Sequence, residues 1–446
     1  MEEEPAMSNF SLGLSLFGAM LTLMILRVPI SVAMFLPGAV GYWLLAGDAA
    51  LLNHLKGATY ARLSNYDLSV IPLFILMGQF ATQGGLSRSL FKFASSLLGH
   101  LRGGVAMAAI VACAMFGAVC GSSVATAATL AQVALPEMRR LNYSGRLSTA
   151  TLAVGGTLGI LIPPSVPLVV YAILTETNIA KLFMAAFIPG IIAAIGYCIV
   201  IAITVTLRPA LAPAQPRVSN ADRLRAFVEI WPIAVVFAIV FGGIYGGFFT
   251  PTEGAAVGAA GTFVAALLRR ELNLRGIGRS FLGTAMTSGM IFMVFLGADM
   301  LNGALALSQM PKQLADWVTH IGWSPLAIVA IVIAMYIVMG FFMDELATII
   351  LTIPVIFPAI MGLDLWGLEY TEKAIWFGIL MLMVVEIGLV HPPVGLNIFV
   401  INSLAKDVPM IETFKGVIPF LVSDFLRVIL LFVFPVVSLY LVRLIF

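Results

Sequence analysis

Two proline pairs, Pro163-Pro164 and Pro392-Pro393, interrupt segments that are otherwise apolar. The first lies in GGTLGILIPPSVPLVV, from Gly155 to Val170, and the second in EIGLVHPPVGLNIFV, from Glu386 to Val400. Proline removes a backbone donor and blocks the helical turn before it. Each pair should therefore open a helix, freeing carbonyls before the break and amides after it. In lipid such groups are tolerated only where protein or water satisfies them. A small cation can take the carbonyls, and an anion can take the amides with help from the dipole of the new helix. One irregular segment can thus host both a coupling cation and an acidic solute.

Side-chain oxygens gather at the same places. Ser165 follows the first break, and Asn397 and Asn402 follow the second. Gly121, Ser122, Ser123 and Thr126 occupy the middle of an apolar stretch, 103–136. Each hydroxyl has a second use, bonding the carbonyl one turn back in its own helix. The Gly-Ser-Ser group is a stronger candidate as a unit. Asn397 is the strongest single candidate, because its amide is hard to place in a helix flanked by apolar residues. Asp344 and Glu345 fall in the middle of another such stretch, 324–360. Intramembrane carboxylates are costly and face a cavity or a partner. Asp344 either stabilises a cation site or caps the returning helix. Glu386 is a candidate structural partner for Arg427. His391 can carry a proton, although a hydrogen-bonding core role is the better reading. GGFFTPTEGAAVGAAG, from Gly246 to Gly261, reads structurally: Thr250 or Thr252 as cap, Pro251 in the first turn, Glu253 at the positive end, and small residues for close packing.

The elements that position these groups follow from composition. Of 446 residues, 61% are hydrophobic and 10% charged, where a soluble domain carries about 25% charged. Repeated apolar runs of roughly 20 residues indicate a polytopic all-α membrane protein. The acidic start, MEEEPAMSNF, lacks the basic opening of a secretory signal, so the run from Ser11 to Leu26 reads as a retained first span. Cys113, Cys120 and Cys198 are scattered, as are the four histidines, and no zinc spacing, phosphate loop or nucleophile elbow is present. An enzyme, a cofactor and a nucleic-acid partner are therefore not expected; membrane lipid is.

Spans are expected at 10–26, 28–47, 67–83, 147–175, 179–207, 228–247, 252–268, 280–300, 373–405 and 417–441. The stretches 103–136 and 324–360 read either as two spans each or as hairpins that enter and leave on one side. Amphipathic stretches at 85–99 and 309–322 precede them and could lie along the interface as arms. Basic residues set the orientation. Arg208, Arg217, Arg223, Arg225, Arg269, Arg270, Arg275 and Arg279 place two loops in the cytoplasm. Arg27, Arg88, Lys92, Arg102, Arg139, Arg140, Arg146, Lys406 and Lys415 follow on the same side. Lys56, Arg62, Lys181, Lys312, Lys373 and Arg443 fall outside, as do both termini. The order hairpin, then broken span occurs twice in opposite predicted orientation. Inverted repeats with discontinuous helices are a secondary-transporter plan, with sites near the breaks. The domains expected are N-terminal scaffold spans over 1–66, a first repeat over 67–207, cytoplasmic loops and central scaffold spans over 208–279, and a second repeat over 280–446.

GFFMDELATIILTIPVIFP, TPTEGAAV and HPPVGLNIFV, with GSSVATAATL and GILIPPSVPLVVYAI in the first half, resemble the large membrane subunit of tripartite ATP-independent periplasmic (TRAP) transporters, the DctM-like family. The resemblance covers nearly the whole chain; Gly254 stands where alanine is frequent, a small-for-small change. It implies an elevator transporter in a bacterial inner membrane, with sodium as coupling ion. It also implies an organic-acid solute from a periplasmic binding protein, and a separate small membrane subunit of about four spans. Carried onto this sequence, it points to Ser122, Ser123, Thr126 and Ser165 in the first repeat, and Asp344, Thr348, Asn397 and Asn402 in the second. Sodium candidates among them are Ser122, Ser123, Asp344 and Asn397. Competing readings are an autonomous sodium- or proton-coupled anion carrier, a channel-like pore, a membrane enzyme and a structural scaffold.

Overall fold

The computed structural model describes residues 9–446; residues 1–8, with most of the acidic start, and the side chains of Ala58, Arg62, Leu63, Val318 and Thr319 lie outside the described residues. All regular structure among the described residues is helical. The chain opens with α1 (Asn9–Ile25), α2 (Ile30–Ala46) and α3 (Asp48–Leu63), then α4 (Val70–Gln83) and α5 (Leu86–Leu98). The first hairpin is α6 (Gly104–Cys120) and α7 (Ser123–Arg140); the first broken span is α8 (Gly145–Leu161) and α9 (Val166–Thr175). Next come α10 (Ile179–Leu207), α11 (Asn220–Tyr245), α12 (Pro251–Leu268) and α13 (Leu274–Leu307). A short α14 (Met310–His320) leads to the second hairpin, α15 (Pro325–Gly340) and α16 (Glu345–Met361). The second broken span, α17 (Tyr370–Val390) and α18 (Leu396–Leu404), is followed by α19 (Met410–Val433) and α20 (Val436–Ile445).

Local chemistry sets the helix starts. Asn178 opens α10 by accepting from the Lys181 amide at 3.0 Å. Thr250 and Glu253 form a reciprocal capping box at α12, with Pro251 in the first turn, which decides between the two threonines. The span expected at 179–207 has those bounds in the structure. Others differ. The helix α3 was not expected; its sequence, DAALLNHLKGATYARL, distributes polar residues around the helix and has no apolar stripe. The helices α11 and α13 begin earlier than the apolar runs at 228 and 280, on polar turns capped by Ser219 and Asn273. The last expected span, 417–441, is divided at Phe434-Pro435 into α19 and α20, because proline cannot continue the ladder.

Packing separates two sets of helices. In one, α2 lies along α13, and α12 lies along α4. In the other, the hairpins enclose the broken spans: α7 packs on α8 and α18, while α16 packs on α9 and α17. The helix α17 is buried at every residue from Lys373 to Val390. A helix apolar all round belongs inside the protein. The amphipathic stretches are the helices α5 and α14; α5 packs against α6 and α11, and α14 against α16.

The repeat is visible in how the backbones meet. Gly117 of α6 meets Gly159 of α8, where an added Cβ would lie 2.6 Å from the Gly159 Cα. Gly340 of α15 meets Gly388 of α17, where a Cβ on Gly388 would collide with the Gly340 backbone. Gly159 and Gly388 each stand four residues before a proline pair. Both tips therefore end at the level of a break: a Cβ on Gly121 would lie 2.9 Å from the Pro164 carbonyl oxygen, and Phe341 stacks on His391 with ring centroids 4.6 Å apart. This resolves 103–136 and 324–360 as hairpins that turn back beside broken spans. Both proline pairs are joined by cis peptide bonds.

Charged contacts also sort into two ends. Arg139 pairs with Asp407, Lys92 with Glu229 and Arg146 with Glu412. Arg269 reaches Ser89, and Arg223 the Ser96 carbonyl. Elsewhere, Arg443 pairs with Glu372, and Lys181 lies over the Phe446 ring. No contact in this set mixes a residue expected inside with one expected outside.

The glycine contacts yield a test. Gly388→Val should force α15 off α17 and destabilise the protein by about 1–3 kcal/mol or more. Gly18, with open space around its Cβ position, should accept valine within about 0.5 kcal/mol. Thermal unfolding of the purified variants in detergent compares the two.

Candidate functional site

The first tip is built by its glycine and serine. Gly121 adopts φ of +65°, a left-handed conformation that glycine reaches without a Cβ penalty. Ser122 then caps α7, its hydroxyl accepting from the Ala125 amide at 3.4 Å. The next residue, Ser123, and Thr126 one turn on are both wholly buried and lie against α8. Two glycines of α8 make room: Gly156 lies beside the Ser123 carbonyl and the Asn397 amide, and Gly159 beside the Ser122 carbonyl and the Thr126 hydroxyl.

Asn397 joins the pieces. It is the second residue of α18, wholly buried. Its Nδ2 donates to Ser123 Oγ at 2.7 Å and to the Ala153 carbonyl at 3.1 Å. One side chain therefore connects the first hairpin, the first broken span and the second broken span. Its Oδ1 is buried without a hydrogen-bond partner; Thr126 Oγ1, also buried, has only the weakly bonding Cys120 thiol beside it. Buried oxygens are rarely left unpaired, and an ion is one explanation for them. The donors available are amide, hydroxyl and backbone carbonyl oxygens, a set suited to a hard cation.

The second tip follows the same plan with different chemistry. Asp344 caps α16, its Oδ1 accepting from the Ala347 amide at 2.8 Å. The cap is thus present, with one carboxylate oxygen committed to it. Thr348 donates to the Asp344 carbonyl at 2.8 Å, and Thr352 donates to the Thr348 carbonyl at 2.7 Å while its oxygen lies 2.8 Å from Tyr336 Oη. Asp344, Glu345 and Thr348 occupy on α16 the places that Ser122, Ser123 and Thr126 occupy on α7. At the first break, Ser165 caps α9 by accepting from the Leu168 amide at 3.4 Å, beside Pro163 and Pro164. At the second, Gly395 follows Pro392 and Pro393 in the left-handed conformation and starts α18.

Asn402 is placed elsewhere. Its amide donates to the Val408 carbonyl and its Oδ1 accepts from Thr413, whose hydroxyl oxygen also lies 2.9 Å from Thr149 Oγ1. It ties the end of α18 to α19. Glu386 does lie beside Arg427, 3.7 Å away, and Asp424 is nearer to that guanidinium at 2.9 Å. Asp424 was missed by the sequence reading, although its place three residues before an arginine on one helix is a readable pairing signal.

Residues 17–437 match the family described as the tripartite ATP-independent periplasmic transporter, DctM component. The chain belongs to that family, whose members are permeases and not enzymes. It is 36% identical to the C4-dicarboxylate TRAP transporter large permease protein DctM of Pseudomonas aeruginosa, over 91% of this chain and 92% of that protein. It is 28% identical to the sialic acid TRAP transporter large permease protein SiaM of Vibrio cholerae, over 88% of this chain and 90% of that protein. Its fold is shared with the Alcanivorax borkumensis YdaH transporter, at a TM-score of 0.65 and 13% identity, covering 96% of this chain and 98% of that one. The protein is a multi-pass inner-membrane permease subunit that carries out secondary transport of an organic anion within a TRAP-type system.

The bonding pattern separates hydrogen-bonded oxygens from unpartnered ones. Asn397→Ala removes two buried hydrogen bonds and should destabilise the protein by about 1–3 kcal/mol. Thr126→Val conserves shape and removes an oxygen whose neighbour is only the weakly bonding Cys120 thiol, so stability without added ligand should fall by no more than about 1 kcal/mol. Unfolding midpoints measured in sodium-free buffer check both.

Proposed function

We propose that this chain imports an organic acid by sodium symport. The solute is delivered by a periplasmic binding protein, and the chain works with a separate small membrane subunit of about four spans. The observation that carries the reading is Asn397: one buried amide links hairpin and breaks, and leaves its own oxygen unpaired. Asn397 Oδ1, Thr126 Oγ1 and the carbonyls of Ser122 and Ser123 would hold the first sodium. Asp344 and Thr348 are the corresponding second-repeat groups, with Ser165 and Gly395 opening the adjacent half-helices. Bound sodium supplies the driving force, by entering down its own gradient. The Val166 amide at the start of α9 and the first amides of α18 would receive the carboxylate.

The packing division supports an elevator mechanism. The set built on α2, α4, α12 and α13 would stand still. The hairpins and broken spans would move as one body, with α5 and α14 as arms between them. The two-ended distribution of charged contacts supports a cytoplasmic face that carries Arg88, Lys92, Arg139, Arg146 and Arg269, with both termini periplasmic. Three relatives at 31–36% identity bear names with C4-dicarboxylate, which makes small dicarboxylates the leading solutes. An autonomous carrier that needs no binding protein would use the same breaks.

Proteoliposomes containing both membrane subunits test this, with a panel of labelled acids, with and without the cognate binding protein. Uptake should require the sodium gradient and the binding protein together. Robust uptake without the binding protein would favour the autonomous carrier. In the same assay, Thr126→Val should raise the sodium concentration for half-maximal uptake about tenfold, equivalent to roughly 1.4 kcal/mol of lost ion affinity. Unchanged sodium dependence would remove Thr126 from the site.

A further inference from the structure

Away from the hairpin tips, three long helices come together at their ends around a small cavity. It holds about 230 Å³ and lies between the first turn of α8, the last turn of α10 and the early turns of α19. The place where apolar spans begin and end is the membrane boundary, where lipid headgroups lie. The polar side of this cavity is cationic. Arg146, Arg208 and Lys415 line it, and among the described residues no carboxylate does. Glu412, outside the lining, pairs with Lys415 at 2.9 Å and lies 3.9 Å from Arg146. One carboxylate against three cations leaves two positive charges in surplus. The Arg208 side chain is exposed and has no hydrogen bond or ion pair among the described residues.

Backbone contacts hold the cations around the space. Arg146 Nη2 donates to the Lys415 carbonyl at 2.8 Å. Gly416 permits that approach, since a Cβ there would lie 2.7 Å from the Arg146 carbonyl oxygen. The turn Pro209–Leu211, directly after Arg208, is fixed where the Leu211 carbonyl accepts from the Ser144 amide at 2.8 Å. The rest of the wall is apolar and includes Leu207 and Phe420. Leu207 is 77% exposed, and Ile203, Ile199 and Ile195 continue an exposed ridge along α10 at four-residue spacing. The cavity thus joins cations at the membrane boundary to a continuous apolar surface.

We propose that this cavity binds an anionic phospholipid, its phosphodiester between Arg146, Arg208 and Lys415 and its acyl chains along α10. Charge selects the headgroup. Two surplus cations favour a net-anionic lipid over a zwitterionic one, whose ammonium offsets its phosphate. The apolar ridge selects a lipid over free phosphate, which has nothing to place there. The site is distinct from the oxygen cluster at Asn397. The helices α10 and α19 both pack on α8, so the lipid is held by the body that carries the first broken span. One consequence rests on the elevator reading: travel of that body would draw the cations away from the headgroup layer, at a cost. A bound anionic lipid would then favour the position seen here.

Lipid binding by the purified chain in detergent, without solute or sodium, tests the site separately from transport. The chain is titrated with phosphatidylglycerol, phosphatidylcholine or glycerol 3-phosphate, and bound molecules are counted by native mass spectrometry. The first phosphatidylglycerol should bind at least tenfold more tightly than phosphatidylcholine or glycerol 3-phosphate. Arg208→Gln should weaken it about fivefold, the worth of one cation beside an anionic lipid. Arg275→Gln, at an exposed arginine of α13 outside the cavity, should leave it unchanged. Equal affinity for phosphatidylcholine would overturn the proposal, as would an unaltered Arg208→Gln or an equal loss in Arg275→Gln. Glycerol 3-phosphate binding as tightly as the lipid would make this a free-phosphate site and overturn the lipid assignment. Should Arg208→Gln not fold, Lys415→Gln carries the same expectation and the same refutation.

Discussion

The whole arrangement depends on one constraint: a helix cannot be opened inside a membrane unless other parts of the protein receive the groups it exposes. The two proline pairs open α8–α9 and α17–α18 where the span is only part traversed. Each opening is met by a hairpin tip, and each tip reaches it because a pair of glycines lets two backbones touch. The hairpins are therefore the covering that permits the breaks. Close contact at the tips also brings polar atoms of several segments within bonding distance of one another.

The same plan is executed twice with different side chains. The first tip presents serine hydroxyls and a threonine; the second presents a capping aspartate, a buried glutamate and a threonine. An unpaired amide oxygen distinguishes the first, while the second adds formal negative charge. Two repeats of one backbone thus give chemically unequal environments.

Much of this was legible in the sequence because proline, glycine and asparagine are informative in an apolar background. The breaks and the stretches that form the hairpins and the amphipathic helices α5 and α14 could be read from residue type and order; that Asn397 meets Ser123 could not. What could not be read depended on chain reversals. Asn402 stood beside Asn397 as a candidate, yet the turn after α18 brings Thr413 and Val408 to it, and its side chain bonds them instead. Asp424 was overlooked because an apolar span concealed a pairing that needs only helical spacing. The helix α3 lacks the apolar periodicity by which its neighbours were found, and Pro435 divides what composition alone reads as continuous.

The central claim is that the sodium site lies within this chain, at the junction Asn397 makes between hairpin and breaks. Thermal unfolding of the purified chain, titrated with sodium or potassium at constant ionic strength, tests it most directly. A ligand that binds only the folded state raises the midpoint as its concentration passes its dissociation constant. Sodium should raise the unfolding midpoint of the wild-type protein where potassium does not, and Asn397→Ala should lose that difference while remaining folded. Equal responses to the two ions in folded wild-type protein, or a sodium response unaltered by Asn397→Ala, would contradict the account.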